Sequence, residues 1–245
     1  MRRGEKGFTL VEVTIILLVL VILSGILLPT IERFIDLARY VKCKEDIGMI
    51  ASIIELWKVD NCRTWFKWHP SGDCGTTAEG TVSADCAQDL QAGGSASRLD
   101  LLVSEGNDDS LPVLGNGIHY WNTAVYGSRN TVTVDTMENQ LVLGRPHGGH
   151  AYARPHSGNP ASCGFRGAYV STPIGTDPWG TRYMANVAFL GFPGNRLLDA
   201  SPSTFRNMDV FVLSAGPDQI ADTPFTVDGV IAGGDDQIAL VSGGF

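Results

Sequence analysis

Hydrophobic and polar positions divide the 245-residue chain into stretches with different periods. Residues 8 to 28 read FTLVEVTIILLVLVILSGILL, an almost unbroken apolar run of 21 residues with one charge, Glu12. At about 1.5 Å per residue, a helix of that length rises roughly 31 Å, close to a bilayer's hydrocarbon thickness. After Pro29 the apolar residues thin to Ile31, Phe34, Ile35, Ala38 and Val41, then Ile47, Ile50, Ile53, Ile54 and Trp57. Spacings of three and four predict an amphipathic helix to Asn61, with Glu32, Arg33, Asp36, Arg39, Lys42, Lys44 and Glu45 on its other face. Pro29 removes one backbone donor, so a kink is expected there. From residue 62 the helical period is lost. Short β segments are then expected at 118 to 126, 131 to 134, 183 to 190 and 209 to 214, the last reading DVFVLS.

Charge sharpens this division. Residues 1 to 68 carry ten Lys/Arg against eight Asp/Glu, whereas residues 69 to 245 carry eight Arg, no Lys and eighteen Asp/Glu. An acidic body lacks the clustered cations that neutralise phosphates, which argues against a nucleic-acid partner. Arg2, Arg3 and Lys6 precede the apolar run, so the positive-inside rule keeps the first seven residues in the cytoplasm and sends the rest across. A secretory signal peptide has a shorter apolar core of about 7 to 15 residues and a small-x-small cleavage site, and neither fits here. A plain signal anchor fits the length but leaves Glu12 unexplained, because a carboxylate in hydrocarbon costs about 2.5 kcal/mol or more unless paired. Glu12 needs a cationic partner.

Lys6-Gly7-Phe8-Thr9-Leu10-Val11-Glu12 followed by an unbroken apolar run resembles the class III signal of type IV pilins and type II secretion pseudopilins. The resemblance implies that a prepilin peptidase cuts between Gly7 and Phe8 and methylates the new amino group of Phe8. Glu12 would then neutralise the amino terminus of a neighbouring subunit as helices stack into a filament. A buried carboxylate that meets its cation only on assembly penalises the wrong register. On this reading the apolar face before about residue 42 packs against other subunits, and the rest of the stripe packs the chain's own core. Two further segments carry the resemblance. Asp46 to Asn61, ending Trp57-Lys58-Val59-Asp60-Asn61, resembles the end of the long helix in major pseudopilins. There Cys62 stands where that family has glycine, and Arg63-Thr64-Trp65-Phe66 replaces Tyr-Pro. Asp177-Pro178-Trp179-Gly180-Thr181-Arg182-Tyr183 resembles the element that opens their small antiparallel sheet. Asp-Pro and Gly180 favour a turn into a strand, with Trp179 as core filler.

Leu213-Ser214-Ala215-Gly216-Pro217-Asp218 and, later, Gly233-Gly234-Asp235-Asp236 supply carboxylates and irregular backbone, which suit calcium's demand for six to eight oxygens. They resemble the calcium loop of major pseudopilins. That resemblance implies Asp218 and Asp235 as ligands, main-chain carbonyls of Leu213 and Ser214 beside them, and Asp236 as a further candidate. Seventeen residues separate Asp218 from Asp235, longer than the family loop, so Asp222 and Asp228 are also candidates to substitute or add. EF-hand spacing is absent. Solvated Asp/Gly turns are the ordinary alternative.

Residues 62 to 176 lie outside the resemblance and read as a loop- and β-rich insertion. Cys62, Cys74, Cys86 and Cys163 fall in it and are disulfide candidates in an exported segment. Two bridges among five cysteines allow fifteen arrangements, in which Cys43 on the helix is the favoured odd one or else pairs with a neighbour in the fold; zinc is disfavoured because no C-x-x-C occurs. The pair His147 and His150, with His156 nearby, sits among glycines and prolines with no acidic residue to complete a ligand set, and reads as a solvated turn rather than a transition-metal site. Trp65, Phe66, Trp68, Tyr120 and Trp121 are either core or a sugar- or partner-binding surface. No G-x-S-x-G elbow, phosphate loop or HExxH helix is present, which argues against catalysis.

The expectation is an α+β, pilin-like fold, with a long N-terminal helix packed on a small antiparallel sheet. Its parts are a leader at 1–7, a membrane or filament-core helix at 8–28, an amphipathic continuation at 29–61, an insertion at 62–176 and a C-terminal sheet with a calcium-type loop at 177–245. Copies of itself, other pilin-like subunits, prepilin peptidase and an inner-membrane assembly platform are the implied partners. The body lies in the periplasm, or outside the cell in a filament. A surface pilin with an adhesive insertion, and a membrane-anchored periplasmic binding protein or enzyme, are the alternatives.

Overall fold

The computed structural model describes residues 7, 9–61, 66, 99–107, 110–114, 134–146, 152, 154, 163–187, 190, 209–224 and 231–241. The long helix, α1, runs Leu10–Asn61 for 52 residues and continues through Pro29. Its apolar first half and striped second half follow the two patterns seen in the sequence. The chain divides into two compact units, Met1–Lys42 and Cys43–Phe245.

In the first unit, every described residue from Leu10 to Arg39 is exposed, including Leu10, Leu18, Ile26 and Phe34. Burial begins at Cys43, in the second unit. Cys43, Ile47, Ile50, Ile54 and Trp57 are each no more than 1% exposed and recur at spacings of three and four, as a core-facing stripe should.

Among the described residues the second unit has seven strands: β1 (Leu101–Val103), β2 (Val113–Leu114), β3 (Val134–Thr136), β4 (Met184–Ala185), β5 (Phe211–Ser214), β6 (Ile220–Ala221) and β7 (Gln237–Leu240). Five form a sheet in the order β3-β1-β4-β5-β7, and β2 pairs with β6 in parallel beside it. The pairs β1–β4, β4–β5 and β5–β7 are antiparallel, whereas β1 and β3 are parallel. The sheet is therefore mixed, with its C-terminal part antiparallel as expected. All four residues of β5 are buried, as its central position between β4 and β7 requires.

Two strand expectations shift. The segment expected at 183 to 190 is a strand only at Met184–Ala185. Asn186 ends it: its N–H still donates to Phe211 O at 3.3 Å, but its side chain accepts from Phe211 N at 2.7 Å in place of its carbonyl and donates to Asp209 O at 3.0 Å, and Leu190 N then donates to Val187 O at 3.1 Å. The strand expected at 131 to 134 is found at Val134–Thr136, followed by a π-helical turn, Glu138–Val142. The segment at 118 to 126 lies outside the described residues. The larger surprise is β1. It arises within the stretch read as an insertion, yet it sits inside the sheet between β3 and β4.

One core joins the helix to the sheet. Trp57, Leu102, Tyr183, Phe211 and Leu213 belong to the same buried cluster. Phe66 is part of it as well, stacked on Trp57 with ring centroids 3.8 Å apart, and Tyr152 meets Trp57 edge-on at 5.3 Å. Of the aromatics that could have formed a binding surface, Phe66 is thus core; Trp65, Trp68, Tyr120 and Trp121 lie outside the described residues. Tyr183 O–H donates to Asp46 Oδ2 at 2.9 Å, which adds a polar tie between helix and sheet.

Candidate functional site

The first candidate site is the head of α1. Gly7 and Thr9 are exposed, and Phe8 lies outside the described residues. Glu12 Oε2 accepts from Thr9 N at 2.8 Å and from Thr9 Oγ1 at 2.9 Å, while Glu12 N donates back to Thr9 Oγ1 at 3.3 Å. This is a reciprocal capping box, with Thr9 at the N-cap and Glu12 three residues on, and it satisfies two of the helix's free N–H groups. The Thr-x-x-Glu spacing was visible in the sequence, but attention to the charge alone missed it. The carboxylate therefore begins the helix and faces solvent, with no lysine or arginine bonded to it among the described residues. Beyond it, α1 is long and apolar enough to cross a membrane.

The second candidate site is the acidic loop after β5. The Asp177-Pro-Trp-Gly turn prepares it. Asp177 is buried, and its Oδ1 accepts from Trp179 N at 3.0 Å and Thr181 N at 2.8 Å. Its Oδ2 accepts from Thr181 Oγ1 and Ser214 Oγ, both at 2.6 Å. Gly180 completes the turn at φ 100°, a conformation that an L side chain resists. Ser214 Oγ also accepts from Gly216 N at 3.3 Å, so the turn reaches the start of the loop. Gly216 has φ 71°, and a Cβ there would lie 2.6 Å from the carbonyl of Asp235. Only glycine lets the two sides of the loop approach so closely.

Across that approach the structure brings the aspartates together in two pairs. Asp218 N donates to Asp235 Oδ2 at 3.3 Å. Burial and the Asp218 carboxyl beside it push Asp235 above the usual carboxylate range. Asp236 Oδ2 accepts from Asp222 N at 2.9 Å, Thr223 N at 2.6 Å and Thr223 Oγ1 at 2.6 Å. Burial raises Asp236 to about 6, against the lowering effect of those hydrogen bonds. Its Oδ2 is thus committed to holding the loop closed, a structural task that turn chemistry in the sequence did not assign. Asp222 stands close by, where a Cβ on Gly234 would come within 2.5 Å of its Oδ2.

Leu213 and Ser214 lie buried in β5, in register with Ile238 and Gln237, and the Ser214 hydroxyl is already engaged by Asp177. Asp228 lies outside the described residues. Among the described residues, no group of three or more His, Cys, Asp or Glu is arranged to hold a metal. Two features nevertheless fit a hard cation: Asp235 Oδ1 and Asp236 Oδ1 are buried without a hydrogen-bond partner among the described residues, and carboxylate and carbonyl oxygens are calcium's ligand class.

Of the cysteines, Cys43 is free and buried, its thiol pushed up to about 11 chiefly by that burial. Cys163 is disulfide-bonded. Cys62, Cys74 and Cys86 lie outside the described residues, as do His147, His150 and His156. Beside Cys163 the chain grips the end of α1: Gly164 N donates to Asp60 O at 2.9 Å, and Arg166 pairs with the Asp60 carboxylate at 3.0 Å.

The comparisons agree with the head of the helix. A family model described as the prokaryotic N-terminal methylation motif matches residues 2–28. Type II secretion system core protein G of Pseudomonas aeruginosa is 35% identical over 60 residues, which are 24% of this chain and 42% of that protein. The Klebsiella michiganensis protein of the same name is 31% identical over 62 residues, covering 25% of this chain and 44% of its own. That of Dickeya chrysanthemi is 30% identical over 63 residues, covering 26% and 41%. The chain thus spans less than half the length of these relatives. No solved structure matches it. An apolar, capped helix that opens on a methylation motif fits an inner-membrane anchor, and with the core protein G matches it supports a pseudopilin or type IV pilin-like family for this chain.

Proposed function

We propose that the chain is a structural subunit of a type II secretion pseudopilus. A prepilin peptidase cuts between Gly7 and Phe8 and methylates Phe8. The product waits as a single-pass inner-membrane protein with its body in the periplasm. An assembly platform then stacks it with copies of itself and with other pilin-like subunits. The observation that carries this reading is the methylation motif over residues 2–28 at the head of a helix whose apolar side chains stay exposed as far as Val41. Such a face is stable only in lipid or against other helices.

The test is intact-mass measurement of the envelope-bound chain, together with the location of its assemblies. Loss of residues 1–7 with one added methyl group, and retention of filaments within the envelope, is the expected result. An uncut chain would overturn the reading, and filaments sheared from the cell surface would replace it with a surface pilus.

We propose also that calcium binds the acidic loop. Asp218 and Asp235 would hold the ion with main-chain carbonyls nearby, and its charge would offset the pairing of two carboxylates and tie both sides of the loop. Support comes from the unpartnered, buried Asp235 Oδ1 and from the Asp218–Asp235 approach. At about 100 times its dissociation constant, a bound ion adds about 2.7 kcal/mol. Thermal unfolding with calcium and with EGTA tests this. Identical midpoints would remove the ion from the account.

A further inference from the structure

We infer that Gln219 is the positioning residue of the acidic loop, the strut that fixes it on the Asp-Pro-Trp-Gly turn so that Asp218 meets Asp235; the inference rests on the calcium reading only for what the loop then holds.

The backbone supplies the first observation. Gln219 has φ 63°, and it is the only residue other than glycine with positive φ among the described residues. That conformation costs a side-chain-bearing residue of this kind about 1 kcal/mol or more, and glycine would adopt it freely. Strain of this kind persists where neighbouring contacts over-determine the geometry.

The side chain supplies the second observation. Gln219 Nε2 donates to Trp179 O at 2.7 Å, reaching across to the middle of the turn that Asp177 organises. A glycine at 219 would relax the backbone and lose this bond. The main chain of the same residue is held twice more. Its N–H donates to Gly216 O at 3.3 Å, and its carbonyl accepts from Val113 N at 3.0 Å, at the start of β2. One residue therefore touches the turn, the entry of the loop and the strand alongside.

Its place in the chain supplies the third. Gln219 directly follows Asp218, whose own carboxylate accepts from Ile220 N at 2.8 Å and whose N–H meets Asp235. A brace at 219 sets where residue 218 stands. The other link between turn and loop, Asp177 to Ser214 to Gly216, acts at the loop's entry. Two struts from one turn leave the intervening segment little freedom to rotate. The Asp-Pro-Trp-Gly element thus serves as a platform for the acidic loop as well as the entrance to β4.

The discriminating variant is Gln219→Gly, because strain relief and loss of the strut have opposite signs. The calcium-free full-length chain should melt no lower than wild type in detergent. Calcium affinity, read by titration calorimetry, should fall roughly fivefold to tenfold. Gln219→Asn keeps an amide that is too short to reach Trp179 O and should fall comparably. A purely structural role would lower the melting point of the calcium-free chain and leave affinity alone. If wild type binds calcium and Gln219→Gly binds it equally well, the inference is overturned. If wild type binds no calcium, the calcium reading fails separately, and hydrogen exchange of the calcium-free chain decides the inference. Loss of protection at the amides of Asp218, Gln219 and Ile220 in Gln219→Gly supports the strut, and unchanged protection overturns it.

Discussion

The two halves of α1 share one backbone and differ in almost everything else. From Leu10 to Val41 its large apolar residues are roughly half exposed or more, with Phe34 at 66%, whereas from Cys43 to Trp57 the core-facing positions are at or near zero. Propensity does not explain the difference, since both halves are rich in Leu, Ile and Val. What differs is the partner that covers the apolar surface. The second half satisfies itself within the chain, and its mutations should read out as folding. The first half has no cover from the described residues of its own unit, and its mutations should read out as insertion or assembly.

The largest effect that tests this contrast is Trp57→Ala. Trp57 is fully buried and stacked on Phe66, so truncation should cost about 3–5 kcal/mol in urea unfolding of the detergent-solubilised chain. Phe34→Ala should stay within about 0.5 kcal/mol in the same measurement. Comparable losses at the two positions would break the contrast.

Glu12→Ala comes next. It should insert and be cleaved normally, yet assemble at least about tenfold less well by filament yield, the loss expected from about 1.4 kcal/mol of pairing energy. Normal assembly would show that the capping bond to Thr9 is the carboxylate's whole role. Tyr183→Phe then sharpens the buried side: losing the bond to Asp46 should cost about 1 kcal/mol, measured by unfolding, with no change in membrane insertion. The smallest effect is expected for Asp36→Ala. Its pair with Arg39 is exposed at 3.6 Å, and removing it should change stability by no more than about 0.5 kcal/mol.

The features most legible in the sequence were those with a long period or a strong local signal. The helix was expected from residue 8 to Asn61 and runs Leu10–Asn61, because about fourteen turns of apolar pattern leave little room for another reading. The strand expected at 209 to 214 is found at Phe211–Ser214, since DVFVLS combines β-branched and aromatic residues. The turn at Asp177 was legible from Asp-Pro and Gly180. Residues 101 to 103 were not, because Leu-Leu-Val is too short a run to separate from loop composition, and its identity as a strand depends on partners at Val134 and Met184 far along the chain.

The acidic loop was legible in its ingredients and not in its wiring. Aspartates and glycines in the right neighbourhood drew attention to Asp218, Asp222, Asp235 and Asp236. Composition alone could not separate the pair that meets across the loop from the Asp236 carboxylate that clasps Thr223, a distinction that needs the hydrogen bonds. Gln219 was passed over for the same reason, since positive φ is expected of glycine and asparagine rather than glutamine.

The position of β1 bears on whether the segment from 62 to 176 is separable from the rest of the fold. A surface cassette can be removed or exchanged and leave its host intact, as with insertions at exposed loop tips. Residues 62 to 176 cannot be such a cassette. Excising them would take out the strand that lies between β3 and β4, along with β3 itself, and would leave β4 as a raw edge with unpaired backbone groups.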